Sequence, residues 1–600
     1  MGLHTGSALV IVKRAGKVGN CEAACASLLP PAAAGATLGL AHTRWATHGA
    51  PTDANAHPHA SGDGSVVVVH NGIIENAAAL RTALEAEGCV FASETDTEVF
   101  AHLVASVRRA HADWSLEAVV RAALAPVHGA FGLVFAFADE PDVLIAARRG
   151  SPLIIGVGEH ELFVASDASA VVEHTKQVEY LQENELVRLT RGGSYVVSSL
   201  LDGGGGGAAA SGAAAERPHA LVQLEMTLDA IEKGGYKHFM LKEIMEQPAA
   251  LTNAMRGRVD AAAGSVRLGG LAGEPLRRLA AARRIIIAAC GTSYHSALVG
   301  EYILEALARV PVEVEYASEF RYRDAPLFPA EDVLIVLSQS GETADTLAAV
   351  REAKARGVLT IGLVNTVGSS IARETDAGAY LHVGPEIGVA STKAFTGQVL
   401  LLAMLGLALA AEKRAQPAEA LRAGAAALAA LPAQLTAVLS QAAAVADMAR
   451  SFRFAQSFLF LGRGFNMPVA LEGALKLKEI SYIHAEGYAA AEMKHGPIAL
   501  IDRFMPVVII ALPSDPNYEK VKSNIEEVLA RGGLVIAITE EGNAELDGKC
   551  EAVLRIPRTL DYLSPLLAVV PLQLLAYYIA DLRKCNVDQP RNLAKSVTVE

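Results

Sequence analysis

Short apolar runs recur along the 600-residue chain in two different rhythms. Before residue 203, the runs Ser65–Val69, Gly132–Ala136, Leu144–Ala146 and Leu162–Ala165 are β-rich and separated by turns, and two stretches near Asn76–Glu87 and Thr97–Ala110 carry a helical period. That mixture predicts an α+β sandwich. Beyond the seam Gly203–Gly207 and the following AAASGAAAE, a low-complexity stretch that cannot bury a core, strand-like runs alternate with helical segments as in a parallel α/β sheet.

The second half reads as a duplication. Arg284–Ala289 leads into the loop Cys290-Gly291-Thr292-Ser293 and a helix, and Phe458–Leu461 leads into Gly462-Arg463-Gly464 and a helix. Further strands are expected at Val333–Leu337 and Thr360–Val364 in the first copy, and at Val507–Ala511 and Val535–Ile538 in the second. Two doubly wound subdomains are the economical reading. Between them, Glu412–Arg450 reads as an Ala-rich helical connector broken at Pro432, preceded by a buried helix over the 13-residue apolar run Val399–Ala411, too short to span a bilayer.

Composition narrows the function classes. At 52% hydrophobic and 20% charged, the chain folds around a large core, and a formal charge of -13 argues against broad electrostatic binding to nucleic acid. No nucleic-acid or membrane partner is expected. The opening MGLHTGSALVIVKRAG has no long apolar stretch ahead of a small-residue cleavage site, so a cytoplasmic location is the default expectation. The six cysteines (Cys21, Cys25, Cys89, Cys290, Cys550, Cys585) form no CxxC pair, and His42, His57 and His59 lack tight ligand spacing, so neither a disulfide framework nor a metal site is expected.

The loop Ser338-Gln339-Ser340-Gly341-Glu342-Thr343 falls between a buried strand and a helix beginning near Thr343. Hydroxyls and backbone N–H groups there make a neutral cradle for a phosphate, although Ser340 alone reads equally well as a helix cap. Together with Gly291-Thr292-Ser293 at a neighbouring strand end, it favours a phosphorylated small molecule. Glu472, Lys476 and Glu479 share one helix face; the plain alternative is an exposed ion-pair ladder. The helix leads to Lys494-His495-Gly496-Pro497, and acid, base and imidazole are the groups needed to move protons on a sugar. In the first half, Arg44 and Asp96 suit the carboxylate and ammonium of an α-amino acid, and Asn71 with the Gly72 backbone suits an oxyanion, though Asn-Gly is also an ordinary turn.

Nine motifs in order, HTRWATHG, VVVHNGIIEN, SETDTE, CGTSYHS, LSQSGETADT, EIGVASTKAF, ALEGALKLKEISYIHAE, KHGP and DQPRNLAKSVTVE, resemble the glutamine:fructose-6-phosphate amidotransferase (glucosamine-6-phosphate synthase) family over nearly the whole chain. The resemblance implies an α+β N-terminal-nucleophile (Ntn) glutaminase sandwich followed by two doubly wound α/β sugar-isomerase (SIS) subdomains. The boundaries drawn are 1–202 glutaminase, 203–243 linker, 244–411 first SIS domain, 412–450 connector, 451–590 second SIS domain and 591–600 catalytic tail. It further implies formation of glucosamine 6-phosphate and glutamate from fructose 6-phosphate and glutamine, no metal or organic cofactor, and a homodimer or higher homo-oligomer.

By the same resemblance, Arg44, Thr47, His48, Gly72 and Asp96 would hold glutamine, Asn71 and Gly72 would form the oxyanion hole, and Trp45 would gate an ammonia channel. Thr292, Ser293, Ser338, Gln339, Ser340 and Thr343 would bind the phosphosugar, with Val389 and Ser391 lining the pocket. His495 would assist ring opening, Lys595 would form a Schiff base at C2, Glu479 would carry the proton between C1 and C2, and Lys476 would assist it. The tail from Val597 to Glu600 would dock over the sugar. Two other readings are a non-catalytic phosphosugar-binding SIS regulator and an ammonia-dependent, glutaminase-dead isomerase.

One departure concerns the nucleophile. The family places a cysteine directly after the initiator, its thiol attacking the amide and its own α-amine acting as base; here position 2 is Gly2, and Cys21 and Cys25 are internal, without a free amine. The favoured expectation is a native polypeptide beginning upstream with Met-Cys-Gly; the other is a variant without glutaminase chemistry. Assayed with each nitrogen donor separately, the 600-residue chain as written is expected to make glucosamine 6-phosphate from ammonia and not from glutamine. Normal glutamine-dependent synthesis by this polypeptide would overturn that account of the nucleophile.

Overall fold

The computed structural model describes residues 1–6, 8–44, 48–201, 217–224, 232–324, 326–598. The chain divides into two compact units, Met1–Leu228 and Asp229–Ser596, with Val597 and Thr598 grouped with the first. The first unit is the expected sandwich. Its six-stranded antiparallel sheet runs Ser194–Ser199, Glu185–Thr190, Glu140–Arg149, Gly129–Phe137, Val66–Ile74, His59–Ala60. Alternate residues of Val66–Val69 face opposite sides: Val66 and Val68 pack on helices Thr97–Ala110 and Leu116–Leu124, while Val67 and Val69 pack under Leu153 and Ile155. Being covered on both faces, the central strands carry continuous apolar runs such as Val66–Val69 and Leu133–Phe137 instead of a polar alternation, and their flanking turns mark their ends in the sequence.

The second unit holds two five-stranded parallel sheets of identical order. One runs Val312–Tyr316, Arg284–Ala289, Asp332–Ser338, Leu359–Val364, Ala377–Tyr380; the other runs His484–Ala489, Ser457–Gly462, Pro506–Ile510, Leu534–Glu540, Ala552–Ile556. In chain order each is 2-1-3-4-5, a doubly wound sheet whose direction of winding reverses between strands 1 and 3, where the loops part and leave a crevice. One continuous apolar core joins both copies, with helices Gly291–Ala308, Lys393–Glu412, Met467–Ser481 and Ser564–Leu582 at its centre.

Three expectations change. The apolar run at Val399–Ala411 belongs to a 20-residue helix, Lys393–Glu412, one of three segments among the described residues, with Ala418–Leu439 and Asp561–Leu582, long and apolar enough to cross a membrane; the most apolar 18-residue stretch is 94% buried inside the protein in the first and last and 33% buried in Ala418–Leu439. Pro432 does not break the connector. Helix Ala418–Leu439 runs through it, because the buried stripe Leu428, Leu431, Leu435 and Val438, at about 1.5–3 kcal/mol each, outweighs the ~3 kcal/mol of one interior proline, and the break falls at Ser440–Gln441 instead. Thr292 and Ser293 lie inside the first turn of helix Gly291–Ala308 rather than in a loop before it.

A buried polar chain fixes how the central helices meet. Gln247 donates to Ile244 O and Gln573 Oε1, both at 2.9 Å, Thr396 Oγ1 donates to Gln247 Oε1 at 3.0 Å, and Gln573 donates to Thr392 O at 3.3 Å. Leu405, fully buried in the middle of Lys393–Glu412, is expected to cost about 2–5 kcal/mol when replaced by Ala, read as a lower urea midpoint.

Candidate active site

In the first SIS sheet, the switch-point crevice is edged by the turn after Arg284–Ala289 and by Ser338–Thr343. Ser338 Oγ accepts the Gly341 N–H at 2.9 Å and Ser340 Oγ accepts the Glu342 N–H at 3.1 Å. Ser293 Oγ likewise accepts from Gln398 Nε2 at 2.8 Å. With their oxygens engaged by protein donors, Ser293 and Ser340 keep their protons for an incoming acceptor; Ser338 also meets Thr343 Oγ1 at 3.1 Å, one proton between them. Gly341 makes the loop possible: its φ is +68°, and a Cβ there would stand 2.0 Å from Ser369 Oγ.

Thr292 does something different from its neighbour. Its hydroxyl donates to Glu472 Oε1 at 3.0 Å and accepts from Lys476 Nζ at 2.9 Å, so both its roles are filled within the protein. Helix Met467–Ser481 carries Glu472, Lys476 and Glu479 on one face, as the spacing predicted. It is no exposed ladder: Glu472 and Lys476 have no solvent exposure. Lys476 pairs with Glu479 at 2.6 Å and Glu472 at 3.4 Å, and Glu472 is also held by His295 Nδ1 at 2.7 Å. Burial by itself would lower the Lys476 pKa, but the charges of Glu472, Glu479 and Glu386 outweigh it and hold the ammonium protonated.

Lys595, which alone would read as a surface lysine, is docked. Its Nζ donates to Glu386 Oε2 at 2.6 Å, Gly388 O at 2.8 Å and Ser391 Oγ at 3.1 Å. The approach of the tail is pinned where Asp588 accepts the N–H groups of Phe239 and Met240 at 2.9 and 3.0 Å, Val389 N donates to Asp588 O at 3.0 Å, and Arg591 N donates to the Tyr482 hydroxyl at 2.9 Å. Further on, Val597 is 39% exposed, and 599–600 lie outside the described residues.

Three carboxylates organise this cluster. Burial would raise Glu386, but Lys595 and the Thr392 N–H pull it down to about 2. Glu243 accepts from the N–H groups of Ile387 and Gly388, and burial first, then the charge of Glu386, pushes it up to about 8. Glu472 completes the set. Glu386, Glu243 and His295 were not singled out in the sequence; Glu386 and His295 lie inside the motifs EIGVASTKAF and CGTSYHS, but nothing in their spacing marks them. His495 stands apart. It is exposed on the turn Ala490–His495, and among the described residues no hydrogen bond or ion pair joins it to the cluster.

In the first unit, His42 Nε2 lies 2.7 Å from Asn71 Oδ1. Since that oxygen only accepts, the ring nitrogen donates, and the Asn71 amide protons stay available for an oxyanion. Burial keeps His42 neutral, and holds His59 and His70 down to about 4. Gly72, at φ +141°, lies where a Cβ would come within 2.0 Å of Ala130 O, so no other residue fits. Asp96 is buried and accepts the Ile74 N–H at 3.0 Å; its charge acts on Arg44, which donates to the carbonyls of His48, Gly49 and Ala50. His48 is exposed. Trp45 and Thr47 lie outside the described residues.

Residues 42–173 match the family described as "Glutamine amidotransferase domain", and 278–408 and 451–582 each match "SIS domain". The chain is 51% identical over 590 residues to glutamine–fructose-6-phosphate aminotransferase (isomerizing) of Chlorobaculum tepidum, covering 98% of this chain and 93% of that one. The chain belongs to that family. The Thermus thermophilus member is 46% identical over 600 residues, 100% of this chain and 94% of its own. The C-terminal domain of the Francisella tularensis glucosamine-fructose-6-phosphate aminotransferase superposes with a TM-score of 0.56 at 38% identity, covering 60% of this chain and 100% of that domain. Thus the family places two SIS domains where the duplicated sheets lie, and its members are enzymes.

Glu243 generates a pH prediction. Its folded pKa is raised, so the stability of its neutral form is present below the unfolded value near 4.3 and lost as pH rises through about 8. Glu243→Gln, which mimics the neutral acid, is expected to lose less melting temperature than the parent between pH 6 and 9; equal losses in differential scanning calorimetry would refute the raised pKa.

Proposed function

We propose that the chain converts fructose 6-phosphate to glucosamine 6-phosphate, with glutamine as the nitrogen donor where the nucleophilic cysteine described above is present and ammonia as the donor with Gly2 in its place. The observation that carries this is the docking of Lys595 against Glu386 and Ser391, with the Glu386 charge reaching Lys476 on the helix that bears Glu479. An amine, a carboxylate and a neutral hydroxyl cradle are the groups that this reaction requires. Ser293, Ser338, Gln339, Ser340 and Thr343 take the phosphate, and Thr292 positions the acid–base pair as well as bounding the sugar pocket with Val389.

The chemistry balances without an oxidant or reductant. Once substrate opens its ion pair, Lys595 as free amine adds to the C2 carbonyl and water leaves, giving an imine. Ammonia displaces the lysine at C2. Glu479 then takes a proton from C1 and returns one to C2 while the C1 hydroxyl becomes the aldehyde, with Lys476 holding Glu479 in place. Ammonia would come from glutamine once a cysteine thiol at the N-terminus adds to its amide and water then releases glutamate; Arg44 and Asp96 would bind the ends of glutamine, Thr47 and His48 would contribute to the same pocket, and Asn71 and Gly72 would take the oxyanion. Trp45 guards the route of the ammonia.

His495 belongs to this reading as the group that assists ring opening. Because it is exposed and unattached to the Lys595 cluster, a second copy of the chain is the simplest way to bring it there, in keeping with a homodimer in the cytoplasm. Lys595→Arg keeps the charge but cannot form the imine. It is expected to abolish product formation, by at least about three orders of magnitude, while fructose 6-phosphate still binds; unchanged turnover would remove Lys595 from the chemistry.

A further inference from the structure

The second SIS sheet repeats the strand order of the first, so it has a switch point of its own. There, between the turn after Ser457–Gly462 and the turn after Pro506–Ile510, lies a cavity of about 170 Å3 whose wall includes Tyr302, Phe465, Asn466, Ser514, Asp515 and Asp561. It shares no residue with the site around Lys595. Its volume, well below the roughly 300–1,000 Å3 of pockets for drug-sized molecules, admits one small ring.

Its chemistry is the reverse of the phosphate cradle. Where the first crevice offers serine protons, the second offers carboxylates: Asp515 and Asp561 in the wall, and Glu540 behind Ser514. The Ser514 hydroxyl gives its single proton to Glu540. Among the described residues no salt bridge reaches Asp515, Glu540 or Asp561. Burial, then the charge of Asp515, pushes the Asp561 carboxyl upward, offset only in part by Ser514 and Arg558. The described acidic groups do not converge closely enough to hold a metal ion.

A second observation is independent of charge. Asn466 is 3% exposed, and its Nδ2 donates to Ser564 Oγ at 3.0 Å. Ser564 spends its own proton on Asp561 O at 2.7 Å, so it can only accept from Asn466, which fixes the orientation of the amide. Asn466 Oδ1 is left as a buried acceptor with no partner, a desolvation cost that a bound N–H or O–H would relieve. The Tyr302 and Phe465 rings, 5.8 Å apart, supply apolar faces.

We propose that this crevice binds a small ammonium-bearing polyol of the amino-sugar kind, its cation on Asp515 and Asp561, a donor on Asn466 Oδ1 and its ring face on Tyr302 and Phe465. A phosphate is excluded by the carboxylates, which sets this ligand apart from the substrate of the first crevice.

The test is isothermal titration of D-glucosamine into the full chain with the first site saturated by glucose 6-phosphate. One saturable site per chain is expected, with binding weakened about tenfold or more for D-glucose, which lacks the ammonium, and for Asp561→Asn. Should Asp561→Asn fail to fold by circular dichroism, Asp515→Asn on the more open turn is expected to show the same loss. Absence of saturable binding, displacement by glucose 6-phosphate, equal affinity for glucose, or wild-type affinity in the folded aspartate variant would each overturn the proposal.

Discussion

The isomerase half depends on an ammonium that never meets water. Lys476 sits between Glu472 and Glu479 with no exposure, and its third contact, Thr292, belongs to the other SIS copy. A buried ion pair of this kind adds little net stability over apolar packing, but losing one partner strands a charge at a cost of about 3–5 kcal/mol. The arrangement therefore acts as a geometric constraint: helix Met467–Ser481 and the end of strand Arg284–Ala289 cannot drift apart without breaking it. The hydroxyl-bearing turn that begins helix Gly291–Ala308 and the charged face of helix Met467–Ser481, contributed by different copies, are held in one frame.

Much of the fold was legible because its strands are short apolar runs closed by turns. Arg284–Ala289 and Leu162–Ala165 match their expected limits, and the duplication was visible as two strand–loop–helix units. The hydroxyl loop Ser338–Thr343 was legible as a strand-to-helix turn because an apolar run gives way there to small and hydroxylated residues. What spacing could not show is convergence over long separations. Glu386 and Lys595 are far apart in the chain, and a glutamate in a glycine-rich loop carries no local mark of being fully buried. Pro432 misled for a related reason: a local rule about helix breaking gave way to a tertiary stripe of leucines.

The two SIS copies show how one scaffold separates its chemistries. Both have the same strand order and therefore a crevice at the same place, but residue choice in the turns sets what each can hold. Serines whose oxygens are already occupied face outward with protons in the first; aspartates and an unpaired amide oxygen face the second. Topology supplies the position and the side chains supply the sign of the field.

The chain of amides through Gln247, Gln573 and Thr396 has an effect on mechanism despite lying in the core. Leucine and alanine surround Lys393–Glu412 on every side, and such a cylinder would pack nearly as well after a rotation or a one-turn slide. Directional bonds remove that degeneracy, and Gln398, projecting from the same helix to Ser293, inherits the single orientation they select. The aim of the Ser293 hydroxyl is thus indexed by glutamines buried in the core.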